Sequence, residues 1–241
     1  MLSLLVCRTD APLASSGTNR KKRTKLGSME LDTRHLIGDP AELREMYGTP
    51  LERSLRKQLD HLDGHCRAFI AASPLLLIAT QGATQVPDSL ADCSPRGDHP
   101  GFVKVADDHT LLIPDRRGNN RLDTLQNILV NPRVGLLFVV PGLTETFRVN
   151  GDAVLSCDPA LVSQFVVQDK APRTVIVVTV KEAYLQCSRA LVRADIWNPE
   201  KFAAQGTVPS FGTILQAHTG GLVDGQALDE ENRTRLPLTL Y

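Results

Sequence analysis

Apolar runs alternate with polar turns in the central part of the chain, residues 109–151, and the pattern predicts several elements there. The run at 111–113 stops at a proline and predicts a short strand. Between 121 and 129, leucines recur at helical spacing, so one face of a helix can be buried. Pro132 ends this helix, and the apolar run at 134–140 predicts a strand that is buried on both faces.

Similar patterns on either side predict further elements. Strands are predicted where short runs are apolar, alternate between apolar and polar positions, or are rich in β-branched residues, at residues 75–80, 102–105, 146–155 and 175–180. Helices are predicted where an aspartate or a proline precedes an amphipathic run, from residue 40, from residue 50 to near 64, at 65–73 and at 160–168. The polar stretch 81–99 is predicted to be a long loop.

The turn between the first two central elements, residues 115–120, carries the most suggestive chemistry. A helix begins directly after it, and the free N–H groups at a helix start favour an anion. Arginine side chains suit phosphate oxygens because their planar fork can donate two hydrogen bonds. Two interpretations stay open here, a phosphate-binding turn and an ordinary solvated basic turn. The residues concerned are Arg116, Arg117 and Arg121, with Asn119 or Asn120 as the expected N-cap.

Composition and charge exclude some classes of function. The chain has 241 residues, of which 42% are hydrophobic and 22% are charged, as is typical of a globular protein. No apolar run approaches the ~20 residues that a membrane-spanning helix needs. The net charge of zero divides unequally, because residues 1–28 hold six Lys/Arg and one Asp. The remainder is mildly acidic, which argues against non-specific binding of nucleic acid by the fold itself.

Residues 1–28 are basic and rich in Ser and Thr, and they are set apart from the predicted fold. Three interpretations remain open for this segment. It is a disordered tail, a weak organelle-targeting peptide, or the product of a start codon placed before the true start at Met29.

Cysteines and histidines give no sign of a disulfide framework or a metal site. The five cysteines are scattered and include no C-x-x-C pair, which fits reduced thiols in a cytoplasmic protein. His61 and His65 lie one helical turn apart, but the sequence suggests no third ligand for a metal. We therefore predict no metal and a cytoplasmic protein, with organelle targeting by residues 1–28 left open.

Two sequence strings resemble a known family. Residues 131–138 read NPRVGLLF, and residues 114–128 read PDRRGNNRLDTLQNI. Both resemble the FMN-binding split-barrel superfamily of pyridoxamine 5′-phosphate oxidase, and the longer string resembles an uncharacterised oxidase-related branch of it. The resemblance extends over residues 74–197. It implies a mainly β fold with flanking helices, built on a six-stranded split barrel, and a homodimer that holds FMN at its interface.

The resemblance also implies a division of the chain and a set of cofactor-binding residues. After the tail, residues 29–72 would be N-terminal helices, 73–197 the FMN-binding barrel, and 198–241 a helical extension of the same domain. Arg96 has an alternative interpretation as a surface arginine. Arg148 lies on the polar face of the strand at 146–155, and its alternative interpretation is a cross-strand salt bridge. The cofactor-binding residues would be Arg117, Asn119, Asn120 and Arg121 at the phosphate, with Arg96, Arg148, Arg193 and Trp197 around the rest of the flavin.

The leading functional hypothesis is an FMN-dependent oxidoreductase of unknown substrate. No catalytic side chain is predicted, because the flavin itself carries the chemistry. The family's own substrate-phosphate residues have no convincing match here, so oxidation of pyridoxamine phosphate is not predicted. The alternative is a non-catalytic carrier of flavin or haem, for which His99 or His109 would be the nearest axial ligand. A deazaflavin in place of FMN is a third possibility within the enzyme class.

Overall fold

The structure is a computed structural model that describes residues 23–82 and 90–241. The chain divides into two compact units, Met1–Leu51 and Glu52–Tyr241. Most of the segment predicted as a tail, residues 1–22, lies outside the described residues, whereas Arg23–Leu26 forms a strand.

The described part of the first unit contains a two-stranded antiparallel sheet and one α-helix. The N-cap of the helix is Asp39, whose carboxylate accepts a hydrogen bond of 2.7 Å from the Ala41 N–H. A proline follows at the first helical position, so the predicted helix start is confirmed. The elements are β1 (Arg23–Leu26), β2 (Met29–Asp32) and α1 (Pro40–Tyr47).

The second unit is built on a seven-stranded, fully antiparallel sheet. Its strands are β3 (Leu75–Thr80), β4 (Asp92–Gly97), β5 (Lys104–Asp107), β6 (Thr110–Pro114), β7 (Arg133–Val139), β8 (Thr146–Ser156) and β9 (Val175–Gln186). They lie in the order β4-β3-β7-β8-β9-β6-β5. Seven α-helices accompany the sheet in the described part of this unit: α2 (Glu52–Arg56), α3 (Gly64–Ala72), α4 (Asp123–Val130), α5 (Pro159–Val162), α6 (Arg189–Ala194), α7 (Phe211–His218) and α8 (Gly225–Arg235). The predicted class, mainly β with flanking helices, is confirmed.

The additional strand relative to the six expected is β4, which lies within the stretch predicted to be a loop. It pairs with β3 along its whole length, from Asp92 opposite Thr80 to Gly97 opposite Leu75. The prediction missed this strand because its sequence, DCSPRG, contains polar residues and a proline. An edge strand tolerates such residues, since one side of its backbone has no neighbour to pair with.

Three other predicted elements differ from the structure. The helix predicted at 160–168 is an α-helix only over Pro159–Val162, followed by a 3-10 helix at Ser163–Phe165. The helix expected from residue 50 to near 64 is only Glu52–Arg56, because Leu59 pairs its backbone with Ala183 of β9 and the chain is extended there. Strand β7 was predicted to be buried on both faces but alternates, with Val134, Leu136 and Phe138 buried and the residues between them half-buried. An antiparallel sheet covered on one face by the core produces that alternation.

The core lies on the face of the sheet that carries the apolar residues of β8, as the alternating sequence of this strand predicts. Phe147, Val149 and Ala153 are buried there, as expected, and pack with Phe138 of β7. Helix α4 lies against the sheet and makes polar contacts with it. Its Asn127 donates to the Thr80 hydroxyl at 3.0 Å and to the Leu90 carbonyl at 3.1 Å.

Strand β8 contains a bulge at Gly151, where the register of its pairing with β9 shifts. A Cβ at this position would come within 2.1 Å of the Thr179 carbonyl oxygen, whereas a Cβ at Gly64 would meet nothing within 4 Å.

We expect Gly151→Ala to lower the free energy of unfolding by more than about 2 kcal/mol, because the backbone must move. Gly64→Ala is the control and should change it by less than about 1 kcal/mol. Urea unfolding of both variants is the measurement, and equal stabilities would contradict the role assigned to the bulge.

Candidate anion-binding site

A cavity of about 1130 Å³ lies where β4, the end of β6, the turn before α4 and the segment 170–174 meet. Six cationic side chains line it and only two carboxylates do, so the cavity attracts anions. The cations are Arg96, Arg116, Arg117, Arg121, Lys170 and Arg173, and the carboxylates are Asp115 and Asp123.

The turn that precedes α4 adopts an unusual backbone. Asn120 and Leu122 have φ values of 60° and 65°, in the left-handed region that favours glycine and that a bulky leucine rarely adopts. The N-cap of α4 is Leu122, so the prediction that Asn119 or Asn120 caps the helix is wrong. The Asn119 side chain instead accepts from the Arg121 N–H at 3.1 Å and shapes the turn. The first N–H groups of α4 therefore have no side-chain cap.

Arg96 projects from β4 into the cavity with part of its hydrogen-bonding capacity unused. Its Nε is buried and has no partner among the described residues, and its Nη2 lies 4.0 Å from Asp115 Oδ1. The Thr174 hydroxyl, also in the cavity wall, is likewise buried and has no hydrogen-bond partner in the described part of the chain. Burial raises the pKa of the Asp115 carboxyl, and the charge of Arg96 lowers it by less. Buried polar atoms without partners are rare in folded proteins, so this wall suits a polar ligand.

Arg116, by contrast, is already bound within the protein. Its Nε donates to Asp98 at 2.7 Å, its Nη1 donates to the Phe165 carbonyl at 2.6 Å, and its guanidinium lies over the Tyr241 ring. The Asp98 side chain is only 3% exposed. Arg116 therefore contributes charge to the cavity but has few donors left for a ligand.

The remaining cations differ in how free they are. Among the described residues, Arg117 and Arg173 form no hydrogen bond or ion pair through their side chains, and both are exposed. Arg121 donates to Asp123 at 2.8 Å, and Lys170 donates to the Tyr241 carbonyl at 2.9 Å. The free donors thus lie on two segments, the turn before α4 and the segment 170–174.

Five of the eight predicted cofactor-binding residues lie in this cavity, and three lie outside it within one chain. The five are Arg96, Arg117, Asn119, Asn120 and Arg121. Arg148 donates to the Tyr184 hydroxyl at 3.2 Å and has no carboxylate partner in the described part of the chain. Arg193 is exposed on α6, and Trp197 donates to the Leu143 carbonyl at 2.7 Å.

The cavity also contains residues that the sequence analysis did not select. Lys170, Arg173 and Thr174 belong to the connection before β9, where the sequence KAPRT carries two positive charges that signal a basic loop. Tyr241 lies far away in the sequence and nothing near it indicated a role. Only the folded arrangement brings these residues to the turn before α4.

A sequence profile described as pyridoxamine 5′-phosphate oxidase matches residues 62–187, which is just over half of the chain and spans β3 to β9. The chain belongs to the pyridoxamine 5′-phosphate oxidase family. The resemblance stated from residues 114–128 and 131–138 is thereby confirmed. No curated protein matches the chain.

Several solved structures share parts of the fold at low identity. HupZ of Group A Streptococcus is 18% identical, with 51% of this chain and 92% of that one covered and a TM-score of 0.41. A putative pyridoxamine 5′-phosphate oxidase of Lactobacillus delbrueckii is 18% identical, covers 53% and 98%, and gives 0.40. The general stress FMN/FAD binding protein of Xanthomonas citri is 12% identical, covers 62% and 98%, and gives 0.37. Likenesses this distant give no basis for transferring a ligand or an activity.

The described residues contain neither a candidate metal cluster nor a candidate membrane-spanning helix. No group of three or more His, Cys, Asp or Glu side chains in the described ranges is arranged to hold a metal ion. None of the helices in the part of the chain that the structure describes is long and apolar enough to cross a membrane.

The buried carboxylate of Asp98 makes the stability of the site depend on pH. Burial raises the pKa of Asp98. Hydrogen bonds from Tyr241, the His99 N–H and Arg116, together with the charge of Arg116, lower the pKa by a larger amount, so the net pKa is below its usual value. A lowered pKa contributes stability above the unfolded-state value, about 3.9, that is lost as the pH falls through the folded-state value. We expect Asp98→Asn to be less stable than wild type at pH 7, with the difference shrinking below about pH 4.

Thermal unfolding of both proteins between pH 7 and pH 3 measures this difference. Glu200→Gln, which changes an exposed carboxyl in the same unit, is the control and should leave the pH profile unchanged. A stability gap between wild type and Asp98→Asn that stays constant down to pH 3 would contradict the assignment.

Proposed function

We propose that this cavity binds FMN through its phosphate and that the protein is a flavin-dependent oxidoreductase. The observation that supports this most directly is the arginine-lined cavity whose wall holds the buried, unpartnered Nε of Arg96. Membership of the pyridoxamine 5′-phosphate oxidase family supports the same ligand class.

The residues in the cavity fit a phosphate-bearing ligand with a polar body. Arg117 and the uncapped start of α4 offer free donors and positive charge for a phosphate. Arg96 and the Thr174 hydroxyl offer donors to the polar groups of the ligand's body. A cavity of about 1130 Å³ is large enough for a cofactor of this size.

The protein's part in such a reaction is to bind and orient the flavin and the substrate, and to exclude water from them. A bound flavin supplies the capacity to accept or donate a hydride, so a side chain acting as general base is not required. Burial raises the pKa of the half-buried Asp115 carboxyl in the cavity wall, which favours the protonated form of this group. The substrate of this proposed activity is left open.

The second candidate is a non-catalytic carrier on the same barrel. It differs from the first only in lacking turnover, because the same cavity would hold the flavin. A haem carrier is less favoured, because no His, Cys or Met is among the described residues that line the cavity, and neither His99 nor His109 lies there. Oxidation of a reduced nicotinamide by the flavin-loaded protein, with an added electron acceptor, separates enzyme from carrier.

The first test is the absorption spectrum of the purified protein, followed by mass spectrometry of what heating releases. A two-band flavin spectrum with FMN in the supernatant is expected. Release of a deazaflavin would keep the site and change the cofactor, and haem would change the class. A colourless protein whose fluorescence titration with FMN shows no binding would refute the proposal.

Arg96→Ala is the sharpest variant for the cofactor site. We expect it to weaken FMN binding roughly 10- to 150-fold, because a charge-assisted hydrogen bond contributes about 1.5–3 kcal/mol. The matched control is Arg53→Ala, which removes an exposed arginine of α2 outside the cavity and should bind FMN as wild type does. Quenching of FMN fluorescence measures both affinities. Equal affinities would remove Arg96 from the site.

A homodimer with FMN at its interface is part of the proposal, and it gives Arg193 and Trp197 a role. These residues would act on the flavin of the partner subunit, since they lie outside the cavity of their own chain. In that case Arg96→Ala and Trp197→Ala each impair binding when present in both subunits. A mixed dimer of the two variants would contain one intact site, because its two lesions fall together in the other site.

Refolding an equal mixture of the Arg96→Ala and Trp197→Ala proteins should therefore restore about a quarter of the wild-type FMN sites, as expected for random pairing. Counting sites by titration of bound FMN is the measurement. The control is each variant refolded alone, which should show no FMN sites of wild-type affinity. Absence of complementation, with dimers demonstrated by sedimentation, would place Trp197 outside the partner's site.

A further inference from the structure

The last helices of the chain form a hairpin with its own internal contacts. Helices α7 and α8 approach closely at Gly212 and Gly225, where a Cβ on Gly212 would come within 2.0 Å of the Gly225 carbonyl oxygen. The Gly212 N–H donates to Asp229 at 2.8 Å, and the Gly225 N–H donates to the Gln216 side chain at 2.8 Å. The pair can therefore keep its structure when its contacts with the sheet change.

Hydrogen bonds between the segment 203–241, which contains this hairpin, and the barrel are few, and all of them involve one residue. Among the described residues, every hydrogen bond that joins residues 203–241 to the rest of the chain is made by Tyr241. In the same described part, no residue of 203–241 belongs to either buried apolar cluster of the unit. The attachment of the segment thus depends to a large extent on Tyr241.

Tyr241 is attached at the cavity itself. Its hydroxyl donates to Asp98 Oδ1 at 2.5 Å, its ring lies 5.2 Å from the Arg116 guanidinium carbon, and its carbonyl accepts from Lys170 Nζ at 2.9 Å. The residue lines the cavity and contacts two of its cations. Two of these contacts are with groups that an anionic ligand attracts, so ligand and Tyr241 compete for the same cations.

We propose that residues 203–241 are a gate on the cavity, held shut by Tyr241. In the closed state Tyr241 fixes Arg116 and Lys170, and exchange of the ligand follows release of Tyr241. An incoming phosphate offers Lys170 another acceptor in place of the Tyr241 oxygen, and a bond from the Lys170 ammonium group to a phosphate is charge-assisted. The identity of the ligand rests on the proposed function, but the gate itself does not.

The first test needs no ligand. Limited trypsin digestion cuts after Lys170, whose side chain is held by Tyr241 in the closed state. Tyr241→Ala should increase the cleavage rate at Lys170 about fivefold, the factor that corresponds to one lost hydrogen bond. Tyr241→Phe, which keeps the ring over Arg116 and loses the bond to Asp98, should have a smaller effect. Tyr47→Phe in the first unit is the control. Equal cleavage rates in all four proteins would overturn the gate.

The second test measures the kinetics of FMN binding by stopped-flow fluorescence. Release of a gate accelerates entry and exit together, so Tyr241→Ala should raise both rate constants by a similar factor and change Kd by less than about threefold. A rise in the dissociation rate alone, with weaker Kd, would make Tyr241 an ordinary part of the binding wall and overturn the gate. If wild type binds no FMN, the proposed function fails, and the trypsin rates still decide on the gate.

Discussion

The cavity depends on the polar contacts that hold α4 against β3 and β4. Thr124 donates to Asp92 of β4 at 2.5 Å, and Asn127 donates to Thr80 of β3 at 3.0 Å. Thr124, Asn127 and Thr80 are all buried, so losing one partner would leave an unsatisfied polar group at a cost of about 1–3 kcal/mol. These bonds fix the beginning of α4, and with it the turn that carries Arg117 and Arg121.

Asp98 has a corresponding role on the other side of the cavity. Its carboxylate binds Arg116 and Tyr241, and it lies directly after the strand that carries Arg96. Removing the carboxylate would free Arg116 from its ion pair and Tyr241 from its hydrogen bond together. The wall near Arg96 and the attachment of α7 and α8 are therefore linked through one side chain.

The sequence predicted those parts of the site that lie within one stretch of chain. Arg117, Asn119, Asn120 and Arg121 are neighbours, so their charges and their place before an amphipathic helix could be seen together. Arg96 was found through the family resemblance, although its strand was not, because a polar edge strand with a proline has no alternating pattern. The basic turn was predicted correctly, but the N-cap of the helix that follows it was not. Local propensity favours asparagine as an N-cap, whereas the N-cap of α4 in the structure is Leu122.

The rest of the site could not be predicted because it depends on pairing between distant segments. Lys170 and Arg173 reach the cavity only because β9 pairs with β6, which places the segment before β9 beside the turn after β6. Tyr241 is separated from Asp98 by 143 positions, and no periodicity connects them. Local patterns indicate burial and secondary structure, whereas such contacts depend on the complete topology.

The assembly of this cavity from separate stretches of the chain has a consequence for folding. Six cations from three separate stretches of the chain are brought together with only two carboxylate side chains, so completing the fold concentrates like charge. An anion that binds only the assembled cavity stabilises the folded state by mass action. Such a ligand would therefore act as a folding partner, and the amount of folded protein in a cell would follow the supply of that ligand.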